Sequence, residues 1–131
     1  MSLEEVRAKN IQLVSEKALD CFTKNGIANT KVADIAKAAG LTERSVYRYF
    51  EAKSDIVIAA AFCYWNRTKE HISRELSMHD YRDLSGIEQI SIILNSYANI
   101  LFTDPEGIRF SLDAEIALYS AGQNERVINR P

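Results

Sequence analysis

Apolar residues recur through most of this chain at intervals of three and four, the spacing that one buried face of an α-helix requires. The first such stripe consists of Ile11, Val14, Ala18, Cys21 and Phe22. Gly26 follows the stripe, where a glycine commonly ends a helix. Because no segment shows the alternation typical of a half-buried strand, the pattern predicts an all-α fold.

Two short helices are predicted next, separated by a tight turn. Thr30 is expected to cap a second helix over residues 31–39, which Gly40 ends. Thr42 is expected to cap a third helix over residues 43–50. These boundaries depend on local signals alone.

Three longer helices are predicted in the rest of the chain. A fourth begins at Ser54 and runs into the seventies, and a fifth follows a polar turn with Ser85 as its cap. The apolar face expected of the fifth helix consists of Ile87, Ile90, Leu94, Tyr97 and Leu101. A sixth begins at Pro105, after Asp104, and is expected to stop at Gly122.

The second and third predicted helices have the residues of a helix-turn-helix. Two helices that cross steeply need a small residue at their contact, a turn glycine and an apolar anchor. Ala36, Gly40 and Val46 supply them. The third helix is also rich in polar side chains, namely Thr42, Glu43, Arg44, Ser45, Tyr47, Arg48 and Tyr49. A helix of this kind is suited to hydrogen bonding with a DNA duplex.

Residues 14–56 resemble the N-terminal domain of TetR-type transcriptional repressors. The matching positions are Ala18, Phe22, Gly26, Thr30, Asp34, Ile35, Ala36, Ala39, Gly40, Tyr47, Tyr49, Phe50 and Lys53. Two positions depart from the commonest pattern of the family: Arg44 stands where many members have glycine, and Ile27 where many have an aromatic residue. The first departure changes which bases can be recognised.

The resemblance implies a helix-turn-helix DNA-binding domain over residues 4–53 and an incomplete helical ligand-sensing and dimerisation domain over residues 54–131. It implies a ligand-responsive repressor that binds a palindromic operator in double-stranded DNA as a homodimer in the full-length protein. The two long helices that form the family's dimer interface are absent, so this chain by itself is expected to be monomeric or weakly associated. The alternative is a helical sensor or interaction module with a vestigial DNA-binding face.

The predicted DNA contacts divide into side chains that bind phosphates and side chains that contact bases. Arg44 is suited to guanine and Glu43 to cytosine N4, whereas Lys53 resembles the family's phosphate-binding lysine. Thr30 is expected to cap its helix, to donate to a phosphate, or both. The full set is Thr30, Thr42, Glu43, Arg44, Ser45, Tyr47, Arg48, Tyr49 and Lys53.

Aromatic residues in the back half give two alternatives, a packed core or a ligand cavity. The candidate lining residues are Phe62, Trp65, Tyr97, Leu101 and Phe110. Few charges accompany them, which favours an apolar or planar small-molecule effector.

The remaining candidate chemistry is sparse. His71, Glu75 and His79 are spaced four apart, which suits either a metal site or a solvated polar stripe, and the stripe is favoured. Cys21 and Cys63 are the only cysteines. They are too few for a disulfide scaffold and suit a reducing compartment. No catalytic set, cofactor motif or metal site is predicted, so the chain is not expected to be an enzyme.

Charge and hydropathy limit the location and the partners. Residues 1–53 hold nine lysines and arginines against seven acids, whereas residues 54–131 hold seven against eleven. The front is thus mildly basic and the back acidic, which indicates two parts with different partners. No apolar run approaches the ~18 residues of a membrane span, and the expected location is the cytoplasm.

Overall fold

The computed structural model describes residues 1–128, with side chains described through residue 120 except at position 81. Its six helices are α1 (Leu3–Asn25), α2 (Val32–Ala39), α3 (Glu43–Tyr49), α4 (Lys53–Ser77), α5 (Gly86–Thr103) and α6 (Pro105–Ile128). A short 3₁₀ turn, Tyr81–Asp83, joins α4 to α5. Residues 1–128 contain no strand, and the all-α prediction is confirmed. No helix in this range has both the length and the apolarity needed to cross a membrane.

Local signals in the sequence predicted several helix ends well. α1 ends at Gly26, whose φ of +87° lies in a region that L side chains rarely adopt. The Thr42 hydroxyl oxygen accepts a hydrogen bond from the Ser45 backbone N–H at 3.1 Å and caps α3. Ser85 caps α5 in the same way, accepting from the Glu88 N–H at 3.2 Å.

Four predicted boundaries were wrong. α3 ends at Tyr49 rather than Phe50, because the Phe50 backbone is extended. α2 begins one residue later than predicted, because the carboxylate of Asp34 accepts the Lys31 N–H at 3.0 Å while Thr30 turns inward. α4 begins at Lys53 rather than Ser54. α6 continues through Gly122 to Ile128, since one glycine inside a helix costs only ~1 kcal/mol and does not by itself end it.

The core lies where α1 packs against α2, α3 and α4. The fully enclosed side chains come from all four helices and are Val14, Ala18, Phe22, Ile35, Val46, Ile56 and Ala60. Removing this apolar surface from water stabilises the two short helices α2 and α3, which would not be stable alone.

α6 extends this core toward the back half of the chain. The Phe110 ring is 1% exposed and stacks on Phe22, with the ring centroids 5.7 Å apart. Beside it, the Arg109 guanidinium donates to the backbone oxygen of Thr23 at 3.0 Å, near the end of α1. The division into domains 4–53 and 54–131 stays a prediction, and residues 129–131 lie outside the described residues.

α5 presents most of its apolar face to solvent. The stripe predicted from the sequence is present on one helix, but Ile87 is 79% exposed and Leu94 62% exposed. The described residues therefore do not cover this face.

Candidate nucleic-acid interface

The turn between α2 and α3 is closed by backbone hydrogen bonds and a left-handed glycine. Gly40 has φ +69° and ψ +27°, and the N–H of Leu41 donates to the Ala36 oxygen at 2.9 Å. Ala36 and Val46 are both buried, so the two helices meet at these small and apolar residues. This is the helix-turn-helix arrangement that the spacing predicted.

α3 is held from one side and exposed on the other. Val46 is the side chain by which the helix enters the core, at 0% exposure. Thr42, Glu43, Arg44 and Arg48 are exposed, as is Tyr47 at 47%, whereas Ser45 and Tyr49 are half-buried. Seven of the nine predicted contacts thus lie on one short helix and its cap, mostly facing solvent.

The other two predicted contacts have partners within the protein. Thr30 is 1% exposed, and its hydroxyl donates to the Gly26 oxygen at 2.8 Å, so that the hydroxyl is turned away from solvent. The Lys53 ammonium donates to the oxygen of Ile27 at 2.7 Å, which ties the start of α4 to the α1–α2 connection. An ammonium has three donors, so Lys53 keeps two for a phosphate.

Two residues of α1 that the sequence did not single out contact α3. The Asn10 amide donates to the Tyr49 hydroxyl oxygen at 3.0 Å, and the Arg7 guanidinium carbon lies 5.8 Å from the centre of the Tyr49 ring. The pairs are about forty positions apart in the chain, so no local spacing could have revealed them.

Residues 15–60 match the family model described as bacterial regulatory proteins, tetR family. Residues 15–60 are therefore similar to the DNA-binding domain of tetR-family regulatory proteins. The match spans the second half of α1, all of α2 and α3, and the start of α4, and it agrees with the resemblance carried by residues 14–56.

Three relatives of this chain are named as HTH-type transcriptional regulators. The chain is 34% identical over 83 residues to the probable HTH-type transcriptional regulator ArpR of Pseudomonas putida and, over the same length, to the HTH-type transcriptional regulator TtgR of the same species. Each alignment covers 63% of this chain and 39% of the relative. The HTH-type transcriptional regulator AcrR of Shigella flexneri is 40% identical over 45 residues, 34% of this chain and 21% of the relative. The chain thus spans well under half of each of these curated relatives, none of which is an enzyme by name.

A cavity of about 320 Å³ lies between α1, α4 and the end of α5. Its lining residues are Leu19, Asp20, Thr23, Tyr64, Arg67, Thr68, His71, Asn99, Ile100, Thr103 and Asp104. Tyr64 is the notable member, because its buried hydroxyl makes no hydrogen bond of good geometry in the described residues, although Thr68 is a neighbour. Burial raises the pKa of Tyr64, which keeps the hydroxyl protonated.

The five candidate pocket residues do not converge on this cavity. Phe110 is enclosed in the core between Phe22 and Tyr64 rather than lining a space. The other four are Phe62, Trp65, Tyr97 and Leu101, and they are between 42% and 65% exposed. Helical periodicity places side chains on a face, but it does not specify which other helix covers that face.

The histidine stripe does not form one helical face. His71 Nε2 lies 3.9 Å from Glu75 Oε1, but α4 ends at Ser77 and His79 lies beyond it. Cys63 is buried and Cys21 half-buried, and both are free thiols.

Proposed function

We propose that the protein is a sequence-specific DNA-binding transcriptional regulator, a ligand-responsive repressor that binds a palindromic operator as a homodimer and acts in the cytoplasm. The observation that carries the proposal is α3. It is fixed to the core by Val46 and exposes Arg44, Tyr47 and Arg48 together. Such a helix suits the major groove, which accommodates an α-helix and presents a distinct donor and acceptor pattern for each base pair.

The contacts divide by chemistry. Arg44 is exposed in the first turn of α3, and a bidentate contact to guanine O6 and N7 is worth ~1–3 kcal/mol of discrimination. Lys53 stands at the other end of the motif and keeps donors for a phosphate. Thr30, with its hydroxyl turned inward, is the weakest candidate of the set.

Operator selection from a random duplex library tests this function directly. The selection uses the full-length protein, because the proposed homodimer belongs to it, and we expect enrichment of an inverted repeat whose half-sites lie one helical turn apart, ~34 to 36 Å between centres. Arg44→Ala should relax the preference at one base pair of each half-site and leave the others unchanged. Lys53→Ala should weaken binding about equally on all sequences and reduce the salt slope by about one. Failure of the wild-type protein to enrich any sequence would overturn the proposal.

Effector binding is proposed at the cavity between α1, α4 and α5. Its volume of about 320 Å³ falls at the low end of the ~300–1,000 Å³ typical of small-molecule sites. Leu19, Ile100 and the Tyr64 ring suit an apolar or planar molecule. The charged lining residues Asp20, Arg67 and Asp104, together with His71 and the Tyr64 hydroxyl, suit polar groups on that molecule.

α4 connects this cavity to the helix-turn-helix. It begins at Lys53, shortly after α3, and carries four of the lining residues, namely Tyr64, Arg67, Thr68 and His71. α1, which also lines the cavity, contacts α3 through Asn10 and Tyr49. An effector can shift DNA affinity only by its differential affinity for two arrangements of these helices, typically ~1–3 kcal/mol.

Trp65 is the only tryptophan and packs edge-on against Tyr64, with the ring centroids 6.1 Å apart. A compound that releases DNA should therefore change Trp65 emission. If releasing compounds leave that emission unchanged, the effector site is elsewhere.

The alternative, a helical interaction module, is favoured by one observation, the exposed apolar face of α5. The two functions separate in the selection experiment, because an interaction module enriches no duplex sequence.

A further inference from the structure

Two residues of α1 contact the end of α3 and place a positive charge at the surface of the helix-turn-helix. Asn10 donates its amide N–H to the Tyr49 hydroxyl oxygen at 3.0 Å. The Arg7 guanidinium lies over the same ring, 5.8 Å from its centre, and the Arg7 side chain is exposed. Among the described residues no carboxylate lies within salt-bridge distance of Arg7.

We propose that Arg7 and the Tyr49 hydroxyl together bind one phosphodiester group of a DNA duplex, and that Asn10 is the positioning residue that orients the hydroxyl. The inference rests on the proposed function and extends its interface to α1, outside the helix-turn-helix.

The hydrogen bond from Asn10 determines what the Tyr49 hydroxyl can do. A phenolic oxygen has one proton to donate and lone pairs to accept with. Because the Asn10 N–H occupies an acceptor site, the Tyr49 proton is free to point to a further acceptor. A phosphate oxygen is an acceptor of this kind, and tyrosine hydroxyls commonly contact the DNA backbone.

Arg7 supplies the charge that such a site needs. Its guanidinium offers five N–H donors in a planar fork that matches phosphate geometry. Packing against the Tyr49 ring limits the positions it can take, so less freedom is lost when a phosphate binds. With no acid beside it in the described residues, this charge is available to a partner.

The salt dependence of binding tests the Arg7 contact. The probe is a fluorescently labelled duplex pool of random sequence, titrated with the full chain at several salt concentrations. Arg7→Gln should reduce the slope of log K against log salt by about 0.9, the value of one neutralised phosphate. Arg7→Lys keeps the charge and should retain the slope.

Lys9→Gln is the matched control. Lys9 is also exposed on α1, and its substitution removes the same charge, but two residues along a helix it points ~200° away from Arg7. The slope of this variant should equal that of the wild type. Equal slopes for Arg7→Gln and wild type, or an equal loss in Arg7→Gln and Lys9→Gln, would overturn the phosphate contact. A wild-type chain that binds no duplex at any salt concentration overturns the proposed function instead.

A double-mutant cycle tests the role of Asn10. Asn10→Ala should weaken binding in the wild-type background and have no further effect in Tyr49→Phe, where there is no hydroxyl to orient. Circular dichroism of each variant checks that the helices are intact. An equal loss in both backgrounds would show that Asn10 acts independently of Tyr49 and would overturn the positioning role.

Discussion

The region formed by α1 to α3 and the helix α5 differ in how their apolar stripes are used. In the first region the stripe is enclosed, with Val14, Ala18 and Val46 at 0% exposure. In α5 an equally regular stripe is exposed to solvent along its length. A periodic apolar pattern therefore predicts the helix in both places, but burial depends on a second element that the pattern itself does not specify.

The largest expected effect concerns Phe110 of α6, which extends the enclosed core of the first region. Phe110→Ala removes a ring that stacks on Phe22 and meets Tyr64 edge-on, so we expect a loss of ~3–5 kcal/mol in the free energy of unfolding. Phe102→Ala is the matched control, because Phe102 is 87% exposed and should change stability by no more than ~0.5 kcal/mol. Chemical denaturation monitored by circular dichroism measures both, and comparable losses would contradict the placement of Phe110.

Substitutions of two leucines, one in each region, test the same comparison with a single residue type. Leu19 of α1 is 2% exposed and Leu94 of α5 is 62% exposed. Leu19→Ala should cost ~2–5 kcal/mol, whereas Leu94→Ala should cost at most ~0.5 kcal/mol. If the two variants lose similar stability, the α5 face is covered in solution, and sedimentation would identify self-association as the cause.

Substitutions of two glycines should change stability by smaller amounts, and in opposite directions. A Cβ at Gly40 meets nothing within 4 Å, so Gly40→Ala should cost about 1 kcal/mol through its φ of +69° alone. Gly86, in the first turn of α5, is equally free of neighbours and has no positive φ, so Gly86→Ala should stabilise by ~0.5 kcal/mol. Thermal unfolding of the two variants should show shifts of opposite sign.

The sequence predicted most of what depends on neighbouring residues. Gly26, Gly40, Thr42 and Ser85 each determine a helix end through their own backbone or hydroxyl, and each was placed correctly. Thr30 was not placed correctly, because its hydroxyl donates to the Gly26 oxygen instead of capping α2. The sequence alone does not determine which of several nearby acceptors a threonine hydroxyl binds.

The candidate site was predictable to the same degree. Seven of the nine predicted contacts lie on α3 and its cap, so predicting that helix from the sequence was enough to predict them. The partners of Lys53 and Tyr49 come from other elements and required the fold. Phe110 was a pocket candidate because aromatic spacing is the same for a core and for a cavity, and only its contact with Phe22 distinguishes the two.

The smallest expected effect concerns the two thiols, Cys21 on α1 and Cys63 on α4. Burial raises the pKa of both Cys21 and Cys63 above the ordinary 9.0, so the folded protein holds them neutral where an unfolded chain ionises them. This contribution to stability is fully present below the unfolded pKa and is lost as pH rises through the folded pKa, so the free energy of unfolding should fall above about pH 9. Cys63→Ala should reduce that fall.

The two thiols should also differ in their rate of alkylation. Because Cys63 is buried and Cys21 half-buried, iodoacetamide should react with Cys21 first. A faster reaction at Cys63 would show that α4 opens before α1 does.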